Sequence, residues 1–180
     1  MSDTPFGAED LQRIYERRFA ATQAYRMRVW RVLTAEFFQK FVKPDAAVLD
    51  LGCGYGEFIN QIQCATRYAM DLNAAAKTHL SAGVQFLQQS CASRWALADQ
   101  SLDVVFTSNF FEHLPGKDAL SLTLDEAGRC LKPQGRIICL GPNIKYLPGE
   151  YWDFWDHHLP LTELSLREGL EAHRFQIEVC

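Results

Sequence analysis

The sequence predicts an α/β fold, a mostly parallel sheet covered by helices on both faces. Three observations carry this. The apolar run Val48-Leu49-Asp50-Leu51 passes straight into glycines at 52, 54 and 56, and Phe58, Ile59 and Ile62 follow at helical spacing, which reads as strand, tight turn and helix start. Residues 66–71 form a second strand that ends in an acid, Asp71. The run Leu102-Asp103-Val104-Val105-Phe106 is continuous enough to be a strand buried on both faces.

The glycine turn sets the ligand chemistry. Glycine permits positive φ and close approach of the backbone to a ligand, and a following helix start would aim its free N–H groups at the same place. A dinucleotide site has the spacing Gly-x-Gly-x-x-Gly; here the third glycine arrives one residue early and Glu57 stands where it would be. Asp50 at the strand end would repel a pyrophosphate and suits a ligand bearing an ammonium or sulfonium. With these residues in place, Val-Leu-Asp-Leu-Gly-Cys-Gly-x-Gly resembles the first motif of the class I S-adenosylmethionine-dependent methyltransferases. That resemblance implies a Rossmann-like three-layer sandwich, S-adenosyl-L-methionine as cofactor, and Asp50, Gly52, Cys53, Gly54 and Gly56 among the residues that hold it.

Taken in order, residues 9–42 read as helix with a break near Ala20 to Thr22, and Trp30, Leu33, Phe37 and Phe41 form its apolar stripe. In the family this leading segment (1–43) commonly lids the cofactor, which makes Tyr15 and Arg18 weak candidates for touching it. The methyltransferase domain proper is then 44–180. Asp71 lies nineteen positions beyond Gly52, the place from which a carboxylate accepts both ribose hydroxyls, while Asn73 is the better cap for the helical stretch that follows. Leu72 is positioned to pack on adenine. Residues 83–87 give strand three and 101–107 strand four. The family usually has an acid for the adenine amino group in the loop after strand three; this sequence places Cys91 there, leaving Cys91, Ser90 and the Ala92 N–H as adenine contacts.

Ser108-Asn109-Phe110-Phe111-Glu112-His113-Leu114 resembles the Ser-Asn-x-x-Glu-His-Leu segment of the superfamily, with Asn109 a cofactor contact. A helix over 117–131, the turn Lys132-Pro133-Gln134-Gly135 in which Gln134 replaces a family glycine, and strand five over 137–140 come next. Residues 146–161 carry Tyr151, Trp152, Phe154 and Trp155 among Asp156, His157 and His158, either a pocket wall or a small core of their own. A helix over 163–173 opens with Thr162-x-x-Ser165, and 175–179 reads as strand six. The expected order is 3-2-1-4-5-6. The family's seventh strand is missing, so we expect a truncated chain in which 175–180 pair with strand five or another chain fills the gap, with self-association through that open edge.

Composition excludes some classes. A net charge of −4 argues against nucleic acid, although residues 11–43 hold eight Lys/Arg against two Glu, either a solvated helix face or a site for an acidic partner. No run is apolar enough to cross a membrane, the first ten residues do not resemble a signal peptide, and six scattered cysteines without a Cys-x-x-Cys pair read as reduced thiols in a cytoplasmic protein.

For the chemistry, methyl transfer is an in-line displacement in which the protein aligns the acceptor and removes its proton where the nucleophile is a hydroxyl. His113 is the first candidate base, its competing role being to orient the loop with Glu112 as partner. His157 is the second, with Asp156 as a neighbour in sequence. No metal site is expected: Asp156, His157 and His158 lack a third ligand at useful spacing. The acceptor is a small molecule, aromatic, lipid-like or sugar. The rival reading is a non-catalytic S-adenosylmethionine-binding or interaction protein on the same fold, and a nicotinamide oxidoreductase ranks third.

Overall fold

The computed structural model describes residues 22–180. The expectations for Tyr15, Arg18 and the first helical stretch fall outside them. The chain divides into two compact units with the boundary between Gln89 and Ser90.

In the first unit, α1 (Gln23–Glu36) is followed by a 3-10 turn, Phe38–Phe41. The apolar stripe differs from the one expected: Thr34 and Phe38 are buried, whereas Leu33 and Phe37 are exposed. The helix stops at Glu36 and Phe37 takes non-helical angles, so a 3.6-residue period cannot be carried across it. Phe38 stacks on Trp30 at 6.0 Å and meets Phe58 edge-on at 5.9 Å, which fixes the helix to the segment after the glycine turn. Strands β1 (Ala47–Leu51), β2 (Thr66–Asp71) and β3 (Val84–Gln88) pair in parallel, β1 with β2 and β2 with β3. Val48, Leu49 and Leu51 have no exposed surface, as a strand covered on both faces requires.

No regular helix follows the glycines. The connection from Gly52 to β2 holds only isolated turns, with Asn60 N–H donating to the Gly56 carbonyl and Ile62 N–H to that of Phe58, both at 3.0 Å. The Ala65 and Thr66 N–H groups both return to the Ala46 carbonyl to start β2. Beyond β2, Asn73 caps a 3-10 segment, Ala74–His79, by accepting from Ala75 N–H at 3.0 Å.

In the second unit, β4 (Leu102–Ser108) leads through a 3-10 turn at Phe111–His113 to α2 (Lys117–Cys130) and β5 (Leu131–Leu140), which runs parallel to β4. Leu131 pairs with Leu102 and Arg136 with Val104, so residues 132–135 loop out of the ladder. Within that loop Gln134 takes φ +66°, the left-handed conformation for which the family uses glycine. Helix α3 (Glu163–Ala172) begins with a capping box in which Thr162 and Ser165 satisfy each other's N–H groups.

The five strands make a Rossmann-like sheet in the order β3-β2-β1-β4-β5. The expected sixth strand is absent. Arg174 at φ +67° and the bond from Phe175 N–H to the Leu170 carbonyl turn the chain back against α3, and residues 175–180 make no ladder with β5. Among the described residues, no helix is long and apolar enough to cross a membrane.

Candidate functional site

In the first unit the site is built on the end of β1. Gly52, Gly54 and Gly56 all have positive φ, between 50° and 71°, so the backbone here can be made only by residues without a Cβ penalty. Gly56 is the most confined: a Cβ there would lie 2.8 Å from Asn60 Nδ2 and from a Leu80 methyl. Asn60 braces the turn, donating to the His79 carbonyl at 2.8 Å and accepting from Ser81 N–H at 2.7 Å. Nothing in the sequence singled it out, because its partners are about twenty residues away.

Asp71 ties the second strand to the turn. Its Oδ2 accepts Gly54 N–H at 3.0 Å and its Oδ1 accepts Asn73 N–H at 2.8 Å, so the carboxylate is held in place by main-chain donors. Leu72 beside it is 50% exposed, an apolar side chain with room for a ring. Asp50 is buried at the end of β1, and its carboxyl is pushed up to about 8 by burial and by the charges of Glu57 and Asp71, against a backbone hydrogen bond from Ile59. Burial and the same carboxylates drive the Cys53 thiol far above its ordinary range, so Cys53 acts as a small apolar residue. Glu57 forms an ion pair with Arg26 of α1 at 2.8 Å, a contact between α1 and the turn that sequence reading missed. An acid-lined turn with no Lys or Arg of its own suits a cationic ligand better than a pyrophosphate.

In the second unit a different site appears. His113 Nδ1 lies 3.0 Å from the Asp156 carbonyl oxygen and 3.2 Å from Asp156 Oδ2. The pair therefore joins residues 43 positions apart, and Asp156 serves His113 rather than its sequence neighbour His157. Nor is Glu112 the hydrogen-bond partner of His113: it is buried and its Oε1 accepts the Tyr151 hydroxyl at 2.5 Å. His157 Nδ1 lies 2.6 Å from the Tyr151 carbonyl, and its ring meets that of His113 edge-on at 4.8 Å. Because a carbonyl only accepts, each Nδ1 carries the proton, which leaves each Nε2 as the free ring nitrogen. Burial pulls the His113 pKa down, but Asp156 and Glu112 outweigh it and the net shift is upward; burial and the His113 charge lower that of His157.

The aromatic segment is not a core of its own: Trp155 is 70% exposed and Phe154 43%. His158 is exposed, and its main-chain N–H docks on the Glu112 carbonyl at 2.7 Å. Asn109 is exposed at the end of β4 with φ +46°. Cys91 is buried, its carbonyl accepting Trp95 Nε1 at 2.8 Å, and the Ala92 N–H already points at Ser90 Oγ at 3.3 Å. These two therefore have less to offer a ligand than the sequence suggested.

A β3-β2-β1-β4-β5 sheet with a three-glycine turn after β1 and an acid closing β2 defines the S-adenosylmethionine-dependent methyltransferase class, for which S-adenosylmethionine is the cofactor. Comparison with known proteins agrees. Residues 49–139 match the family described as methyltransferase domain, and the chain belongs to that family. It is 26% identical over 168 residues to the ubiquinone/menaquinone biosynthesis C-methyltransferase UbiE of Bartonella tribocorum, covering 84% of this chain and 63% of that protein. Among solved structures it is similar to a SAM-dependent methyltransferase from Archaeoglobus fulgidus, with a TM-score of 0.74, 24% identity and coverage of 93% of this chain and 75% of the other. It also resembles a chain of the complex between the Haloferax volcanii Trm112 methyltransferase activator and a methyltransferase, with a TM-score of 0.72, 18% identity and coverage of 88% and 74%.

Proposed function

We propose that the chain transfers a methyl group to a small-molecule acceptor. The observation that carries this reading is the turn whose three glycines all adopt positive φ, closed by Asp71 on the Gly54 N–H and with the buried Asp50 at its base, a cradle suited to a cationic, phosphate-free cofactor. Bound S-adenosylmethionine supplies a methyl group on a sulfonium that is already activated for displacement. Gly52, Cys53 and Gly54 offer main-chain atoms, and Asp50 regains its charge opposite an ammonium. Asp71, positioned by its main-chain bonds at the end of β2, receives the ribose hydroxyls, and Leu72 packs on adenine. Cys91, Ala92 and Asn109 are proposed as further contacts on the family resemblance alone.

At the acceptor end, His113 is the first candidate to receive a proton. Its Nδ1–H is anchored on Asp156, which orients the ring and leaves Nε2 to meet a hydroxyl or amine. His157, anchored on the Tyr151 carbonyl, is the second. The half-exposed aromatics of 151–155 suit a planar or apolar acceptor, and the C-methyltransferase similar to this chain makes a carbon nucleophile one of the options. The leading segment 1–43 is proposed as the lid, supported by the Arg26–Glu57 ion pair.

Calorimetry with S-adenosylmethionine and its demethylated product tests the cofactor assignment, with saturable binding expected and its absence at millimolar ligand pointing to a non-catalytic protein. Turnover against a panel of acceptors, repeated with His113→Ala and His157→Ala, tests the base; a loss of about 100-fold is expected in the first. Undiminished rates in both would remove it.

A further inference from the structure

The side chains gathered around Asp156 match a chemistry other than proton transfer. We propose that His113, Asp156 and His157 form a binding site for a divalent first-row transition-metal ion. One ligand atom from each of the three lies within 4.8 Å of the others. Atoms bound at about 2.1 Å to one ion stand roughly 3 to 4 Å apart, so small side-chain adjustments close the site. The set is two imidazoles and one carboxylate, which suits zinc, cobalt, iron or nickel and disfavours the all-oxygen ions magnesium and calcium.

Two further features have the form of a built site. His157 donates its Nδ1–H to the Tyr151 carbonyl at 2.6 Å, the outer bond that fixes the tautomer and aims Nε2 at an ion. Glu112 is buried, its Oε2 has no hydrogen-bond partner among the described residues, and its charge acts on both imidazoles. A buried side-chain oxygen without a donor, one residue before His113, is a second observation that points to a ligand at this cluster. Local spacing in the sequence offered only Asp156, His157 and His158. The fold discards the exposed His158 and brings in His113 from 43 residues upstream.

The inference rests on these side chains and not on the methyl-transfer reading. An imidazole that coordinates an ion carries its proton on the other ring nitrogen and has no site left for the acceptor's proton, so metal occupancy and general-base action exclude one another.

The test uses the full chain, stripped with a chelator and titrated with Co2+ while visible d–d absorption is followed. Saturable bands are expected, displaced by Zn2+ and insensitive to excess Mg2+. His113→Gln, Asp156→Asn and His157→Gln should each weaken Co2+ binding by at least about tenfold, whereas His158→Ala should leave it unchanged. Absence of d–d bands overturns the proposal, as do bands that persist in all three variants. Circular dichroism checks that each variant is folded, and the intact protein's own titration decides the matter should one of them fail to fold. Calorimetry with S-adenosylmethionine on the same samples keeps the two readings apart: cofactor binding without Co2+ binding sinks only the metal site, and the converse sinks only the proposed cofactor.

Discussion

The glycine turn and the histidine cluster are built by opposite means. The turn is written in seven consecutive residues, 50–56, and works through main-chain geometry, with one carboxylate from β2 pinned to its Gly54 N–H. The cluster works through side chains, and its central bond joins His113 to Asp156 across a helix, a strand and a loop. The lesson is that a turn made by backbone is specified by a few neighbouring glycines, whereas a side-chain cluster is assembled from residues far apart in the sequence.

Substitutions can break either half separately. The largest effect is expected at Gly56→Ala, where a left-handed φ and a Cβ 2.8 Å from Asn60 and Leu80 combine. A stability loss of about 3 kcal/mol by urea unfolding and at least about tenfold weaker S-adenosylmethionine binding should follow. Co2+ absorption of the cluster should survive wherever the protein remains folded.

Asp50 comes next. Its folded pKa of about 8 is raised above the ordinary value, so the stability it contributes is complete below about pH 4 and is lost as pH rises towards 8. Asp50→Asn removes that slope. The variant should therefore gain on the native protein between pH 5 and pH 8, by a few kcal/mol in unfolding free energy, while binding cofactor more weakly. Parallel slopes for the two proteins would show that Asp50 is already ionised and that the turn is more polar than its burial implies.

The smallest effect belongs to the cluster side. Tyr151→Phe leaves Glu112 Oε1 without its donor and should cost about 1.5 to 3 kcal/mol in urea unfolding. Cofactor affinity should not move. A change there would mean that the two halves are coupled.

Much of this was readable in the sequence, for reasons that differ by element. Strands β1, β2 and β4 announced themselves because continuous or alternating apolar runs have few other uses, and 66–71 was located to the residue. The α1 stripe was misread because Phe37 and Phe38 are both apolar and only the helix end at Glu36 decides which is buried. The helix after the glycines was inferred from spacing, yet the segment forms only isolated turns, Asn60 to Gly56 and Ile62 to Phe58. Phe175 to Val179 has the composition of a strand, but ladder formation needs a partner, and Arg174 turns the chain elsewhere. The glycines, Asp50 and Asp71 stood out because their role is local. That Asp156 belongs to His113 and Glu112 to Tyr151 was invisible, since each pairing depends on how the chain returns after about forty residues.

One bond pattern has an evolutionary side. The Glu112 carbonyl accepts the N–H groups of both His158 and Leu159, so the segment that carries Asp156 and His157 is fastened by main-chain atoms. Such a fastening is blind to side-chain identity. The constraint on residues 144–157 therefore lies in particular side-chain bonds, Tyr151 to Glu112 and His113 to Asp156, and not in how the segment is fastened.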